Sequence, residues 1–229
     1  MGTTLRDLLG ARVDRILCLT CPQSINTRFP SLVQELADHG LSDMLLPFPN
    51  AHSAVEHAEL DRRRFANNTA RSVNIKNCTM GHYHMIRFAV DAGYKGVMLV
   101  EDDMRFVRPS GMLSSYFADL PPDSNAILSY QGVSHKSFRE MFPPGEWRRW
   151  GVLPSGSWFD LATAYILNRQ GMECLVDYYA KCGLAGYRWP VDACDRAWPH
   201  FTTCVRVYLP RVNLVVPSGA VSVTRGVSV

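Results

Sequence analysis

Gly96-Val97-Met98-Leu99-Val100, followed directly by Glu101-Asp102-Asp103, is the stretch from which the fold is read. Its first five positions show no polar/apolar alternation. A strand with one wet face alternates, whereas a strand covered on both faces does not. The segment therefore predicts an interior strand of a sheet with helices on either side. The three acids fall at the carboxyl end of that strand, which is where open α/β sheets bind their ligands.

Working outward, residues 13–19 read as a first strand and residues 30–40 as a helix. The helix has apolar positions at helical spacing and Gly40 as its C-terminal cap. Residues 44–48 predict a second strand. Residues 52–66, rich in charges and helix formers, read as an exposed helix or a loop. Residues 79–92 predict a helix that Gly93 stops. After the acids come strands at 125–130 and 162–167, a helix at 171–181, and late strands at 205–209 and 212–216. Residues 142–158, with Pro, Gly and Trp, read as loop. Strands alternating with helices predict an α/β chain with a doubly wound, mainly parallel sheet flanked by helices. The expectation is one domain over 1–229, with a turn at Leu120-Pro121-Pro122-Asp123 between halves of about 1–120 and about 121–229, the second carrying a smaller region.

Composition removes several classes. With 47% hydrophobic and 20% charged residues, the chain has the make-up of a packed globular protein rather than a disordered one. A net charge of +3 is too small to argue for a nucleic-acid partner. No stretch approaches the roughly 20 apolar residues that span a bilayer. The first ten residues lack the apolar core and cleavage site of a secretory signal. Met1-Gly2 is followed by Arg6 where a myristoylation motif has Ser or Thr. These features predict a soluble, cytoplasmic protein, with contact at a membrane surface left open. Seven scattered cysteines do not form a disulfide framework. Cys18 and Cys21, closing an apolar run with no second CxxC, read as buried strand cysteines.

Three adjacent carboxylates repel one another unless a cation or solvent offsets the charge. Their hard oxygens suit Mg2+ or Mn2+, and such an ion neutralises a nucleotide's diphosphate. In an extended segment Glu101 and Asp103 point the same way and Asp102 the opposite way. Glu101 and Asp103 are therefore the expected metal pair, with Asp103 the leading ligand. A solvated acidic turn is the competing reading.

The ordered set of segments resembles glycosyltransferase family 25, which contains lipooligosaccharide galactosyltransferases and collagen galactosyltransferase-like domains. Four pieces carry the resemblance. They are the first strand followed by Arg28 and a helix; Cys78-Thr79-Met80-Gly81-His82; Leu99-Val100-Glu101-Asp102-Asp103-Met104-Arg105-Phe106; and Ala164-Tyr165-Ile166-Leu167-Asn168-Arg169-Gln170-Gly171, with Pro190-Val191-Asp192 downstream. Together they span roughly positions 13 to 218. Departures from the family pattern are Asn77 for Gly, Gly81 for Ser, Asn168 for Ser and Met172 for Ala. The resemblance implies a GT-A fold and an inverting, metal-dependent transfer from a nucleotide sugar, UDP-galactose being the implied donor, as in lipopolysaccharide biosynthesis. It also implies a donor-binding first half and an acceptor-binding second half.

On that reading Arg28, His82, Glu101 and Asp102 line the donor site, and a glycan or glycoconjugate is the acceptor. Asp192 is the expected general base, with Asp160 and Asp195 as rivals and a helix N-cap as the plainer role for Asp192. All five tryptophans lie between 147 and 198. Trp150, Trp158 and Trp189 are the expected acceptor contacts, with packing of the smaller region as the equal alternative. The polar run Glu146-Trp147-Arg148-Arg149-Trp150 suggests a lid or an acceptor edge. Cys78 reads as packing rather than as a nucleophile. His82 and His84, two apart on a helix, face different sides and are not a metal pair. Two other functions use the same acids: a divalent-metal phosphoesterase or nuclease, and an inactive nucleotide- or glycan-binding domain.

Overall fold

The computed structural model describes residues 3–22, 24–49, 70–129, 147–149, 163–184, 205–210 and 212–218. Five α-helices are assigned among them: α1 (Leu5–Gly10), α2 (Phe29–Asp38), α3 (Ala70–Asp91), α4 (Ser110–Asp119) and α5 (Arg169–Leu184). The strands are β1 (Arg15–Thr20), β2 (Leu45–Pro49), β3 (Gly96–Glu101), β4 (Met104–Phe106), β5 (Asn125–Ile127), β6 (Trp147–Arg149), β7 (Ala164–Asn168), β8 (Val207–Pro210) and β9 (Val215–Pro217).

Seven strands form one sheet in the order β2-β1-β3-β7-β5-β8-β6. The β1–β2, β1–β3 and β5–β8 pairs are parallel, and β7 and β6 run against their neighbours. Five of the seven strands thus share one direction, which is the mainly parallel α/β sheet that the unbroken apolar run at 96–100 predicts. The sheet is covered on both faces. Leu17, Leu99, Tyr165 and Leu167 pack with Met85, Ile86 and Ala89 of α3 and Met172 and Leu175 of α5. Ile16, Cys18, Met98, Val100 and Ile166 turn the other way, onto Leu5 and Leu9 of α1, Leu32 and Leu36 of α2, and Leu113 and Phe117 of α4. The two faces follow from the period-2 alternation of a strand. Leu17 and Leu99 are fully buried, and each such side chain contributes about 1.5–3 kcal/mol relative to exposure.

Local rules account for several boundaries. α1 opens with a capping box in which Thr4 and Asp7 satisfy each other's backbone N–H groups. α2 and α3 are each followed by a glycine at positive φ, Gly40 at 68° and Gly93 at 75°, a conformation L-residues rarely adopt. α3 is assigned from Ala70, earlier than the expected 79; Arg71, Ser72, Asn74, Lys76 and Asn77 leave few apolar positions in its first turns from which a helical face can be read. The expected loop at 142–158 contains strand β6, which pairs with β8 at the sheet edge. A three-residue strand carries no pattern of its own, and tertiary pairing decides it. Trp147 sits there against Tyr116 and Phe117, its indole N–H donating to the Tyr116 carbonyl. Trp147 is thus a packing residue of the sheet edge, while Glu146 and Trp150 of the same run lie outside the described residues. The segment at 52–66 lies outside the described residues.

Candidate active site

Because β1 and β3 are parallel neighbours, their carboxyl ends open onto the same edge of the sheet. The chain leaving β1 winds tightly over residues 21–29. The Ser24 carbonyl accepts backbone N–H bonds from Thr27, Arg28 and Phe29, and its hydroxyl accepts from the Cys21 N–H. This winding delivers Arg28 to the start of α2, facing the end of β3.

β3 stops at Glu101, and Asp102 and Asp103 form a turn instead of continuing the strand. The expected alternation, with Glu101 and Asp103 on one face, holds only for an extended backbone. Here Asp102 and Asp103 both turn to Arg28, while Glu101 turns to α3. Arg28 Nη2 is 2.7 Å from Asp102 Oδ1, and Nη1 is 3.6 Å from Asp103 Oδ2. The Ser24 hydroxyl donates to the second Asp102 oxygen. Beyond the turn, the Asp103 carbonyl accepts from the Ser218 N–H at 2.7 Å and β4 pairs with β9. The acidic turn is thus tied to the end of the described chain.

Asp102 and Asp103 are both buried. Burial raises the carboxyl pKa of Asp102 above its ordinary value, against the stabilising effect of Ser24 and Arg28. Asp103 is pushed up to about 7 by burial and by the charges of Glu101 and Asp102, with Arg28 opposing. Among the described residues, Asp103 Oδ1 is buried without a hydrogen-bond partner, as are Arg28 Nε and the hydroxyls of Thr20 and Thr163 at the same sheet edge. Buried polar atoms left unsatisfied cost free energy, so a group of them at the carboxyl edge of a sheet is where an external partner would repay most.

Glu101 faces a different set of groups. Its Oε1 accepts from the Cys78 thiol at 3.3 Å and lies 3.6 Å from His82 Nε2. His82 is fully buried, stacks on Tyr165 and shares a 2.7 Å hydrogen bond between Nδ1 and the Tyr165 hydroxyl. Burial opposes charge on both partners. Next to each other they overcome it, so Glu101 is held below the ordinary carboxyl range and His82, helped by Cys78, is pushed up to about 10. The structure thus puts His82 behind Glu101 rather than on an open donor-facing wall.

Of the sequence-derived site residues, the fold brings together Arg28, Asp102 and Asp103, and separately His82 and Glu101. Asp192, Asp160, Trp150, Trp158 and Trp189 lie outside the described residues. Ser24 and Tyr165 hold site residues in place; Ser24 carries no sequence signal of that role, whereas Tyr165 lies in one of the segments that carry the resemblance. Cys78 had a readable signal, its spacing of four from His82, which puts both on one helix face.

No protein-family model matches the chain, and no curated protein matches it by sequence. Among solved structures it is similar to the galactosyltransferase LgtC in complex with donor and acceptor sugar analogs. That likeness has a TM-score of 0.43 and 10% identity over 84% of this chain and 72% of the other. It is also similar to the glycosyltransferase GlyE of Streptococcus pneumoniae TIGR4, with a TM-score of 0.43 and 10% identity over 85% of this chain and 44% of that one. Mouse xyloside xylosyltransferase 1 gives 0.39 and 11% over 82% and 80%. At these scores the likeness does not bear on substrate or mechanism.

Proposed function

We propose that this chain is a nucleotide-sugar-dependent glycosyltransferase of the GT-A type. In this reading it moves a hexose, galactose first among them, from a UDP-sugar to a hydroxyl of a glycan or glycoconjugate, with inversion at the sugar carbon. One arrangement supports it: Arg28 meets Asp102 and Asp103 at the carboxyl edge of the sheet, with Asp103 Oδ1 buried and unsatisfied. The order of the family 25-like segments supplies the sugar chemistry. The protein would act in the cytoplasm, in solution or at a membrane surface.

The residues fit a hard divalent cation, because Asp103 offers a buried carboxylate oxygen that nothing in the described chain satisfies. When bound, Mn2+ or Mg2+ supplies Lewis-acid neutralisation of the leaving diphosphate. Asp103 is the ligand in this reading. Glu101, expected beside it, is engaged with Cys78 and His82 instead. Arg28 keeps the acidic turn in place and offers a permanently charged, planar group to a phosphate. Asp192, or its rival Asp160, takes the proton from the acceptor hydroxyl as that oxygen attacks the sugar carbon and the bond to the diphosphate breaks. Trp150, Trp158 and Trp189 offer flat apolar faces to the acceptor's C–H surfaces. Residues from about 1–120 serve the donor and those from about 121–229 the acceptor.

A thermal-shift panel of UDP-, GDP-, CMP- and dTDP-sugars, each with and without Mn2+, tests this on the wild type and Asp103→Ala. A metal-dependent rise for UDP-sugars that the variant loses is the expected result. Absence of any shift across the panel overturns the reading. Phosphatase, nuclease and glycan-binding assays then separate a metal phosphoesterase from an inactive binding domain.

A further inference from the structure

Cys78 and His82 lie four residues apart on α3, so both project from the same helix face, and that face meets Glu101 at the end of β3. One ligand-capable atom from each, Cys78 Sγ, a His82 ring nitrogen and a Glu101 carboxylate oxygen, falls within 4.8 Å of the others. We propose that these three residues form a binding site for Zn2+, or for a divalent cation of the same borderline-soft class, separate from the hard-cation position at Asp103.

Three observations carry the inference. The first is chemical: thiolate, imidazole and carboxylate are the donors zinc takes, whereas Mg2+ and Ca2+ take oxygen alone. The second is metric. Tetrahedral zinc with ordinary bond lengths separates sulfur from oxygen by about 3.6 Å and nitrogen from oxygen by about 3.4 Å. Here Cys78 Sγ and Glu101 Oε1 are 3.3 Å apart, and His82 Nε2 and Glu101 Oε1 are 3.6 Å apart. These two pairs differ from the zinc values by a few tenths of an ångström, and the third, Cys78 Sγ to the His82 ring nitrogen, lies within 4.8 Å.

The third observation is orientation. His82 is wholly buried, and its Nδ1 is held by the Tyr165 hydroxyl. That bond turns Nε2 toward Cys78 and Glu101, and Nε2 makes no hydrogen bond among the described residues. Metal-ligating histidines are oriented in this way, with one ring nitrogen bonded to a second protein group, and a cation at Nε2 would take the place of the proton that His82 carries beside Glu101 in the metal-free protein. Cys78 and Glu101 are only partly buried, which leaves a route for the ion and a fourth position for water or another ligand. A hydrogen-bonded Cys–His–Glu cluster without metal is the competing account.

The inference does not rest on the transferase reading, and its test uses no turnover. Full-length protein is stripped of metal and titrated with Zn2+ by calorimetry. Alkylation of Cys78 is followed by peptide mass spectrometry with and without the ion. Co2+ is used in parallel for its near-ultraviolet thiolate charge-transfer band. One equivalent of Zn2+ is expected to bind and to shield Cys78 from alkylation, and the cobalt band should disappear in Cys78→Ser. Tyr165→Phe, which keeps all three ligands, should weaken Zn2+ by about 10–100-fold. Asp103→Asn should keep both the band and the shielding. Unshielded Cys78 in the wild-type chain overturns the proposal even if the variants fail to fold. So does a cobalt thiolate band that survives in folded Cys78→Ser.

Discussion

Arg28 Nη2 lies 2.7 Å from Asp102 Oδ1, joining the loop after β1 to the turn after β3 through a pair almost closed to water. The two residues are far apart in sequence and meet only because their strands are parallel neighbours. Removing one member of a buried pair leaves the other charge desolvated, which costs more than the pair contributes. Arg28→Ala should therefore destabilise the protein by about 3–5 kcal/mol in urea unfolding. Arg28→Ala with Asp102→Asn should recover part of that loss. Equal stability of the Arg28→Ala protein and the wild type would mean the pair is solvated in solution.

Asp103 provides a pH dependence with a definite sign. Its pKa is about 7 in the folded, metal-free protein against 3.8 for the ordinary carboxyl. The native state therefore binds this proton more tightly than the unfolded state. The group's contribution is fully present below about pH 4 and is lost as the pH rises through about 7. Thermal unfolding of metal-free protein across that window should show a falling component that Asp103→Asn removes. Mn2+ should reduce the component, since a bound cation favours the carboxylate.

Gly96 starts β3 in a space with no room for a methyl group. A Cβ there would lie 2.4 Å from the Arg12 carbonyl oxygen and 3.1 Å from that of Leu167, both backbone atoms that a side-chain rotation cannot move. Gly96→Ala should cost about 1–3 kcal/mol, read by chemical denaturation. A neutral result would mean that the α1–β1 connection shifts freely, and amide exchange at Asp14, which donates to the Gly96 carbonyl, would then rise.

Cys18 and Cys21 should separate chemically despite their CxxC spacing. Cys18 is fully buried, and burial together with the nearby carboxylates, Asp102 foremost, pushes its thiol well above the ordinary range. Cys21, beyond the strand end, is partly accessible. Native-state alkylation mapped by mass spectrometry should label Cys21 and spare Cys18 until the protein unfolds. Equal labelling of both would place the end of β1 in frequent local opening.

The placement of these residues was legible from sequence where the signal was local and not where it depended on backbone direction. The triplet's position after β3 is a matter of order along the chain, so its place at the carboxyl edge of the sheet was legible. The pairing inside the triplet was not, because it assumed that an extended backbone continues past Glu101, where the chain turns. The same limit applies at 147–149, where a polar stretch became an edge strand through its pairing with β8.

By itself the sequence determined the layered α/β architecture, the interior position of β3, the glycine stops after α2 and α3, and the presence of acids at the strand's carboxyl end. Each follows from short-range periodicity or from the conformational limits of single residues. Tertiary structure alone decided which acid faces which partner: Asp102 and Asp103 toward Arg28, and Glu101 toward Cys78 and His82. Those contacts join segments separated by tens of residues. Their geometry depends on the parallel register of β1 with β3 and on the packing of α3 over the sheet, and no local pattern encodes either.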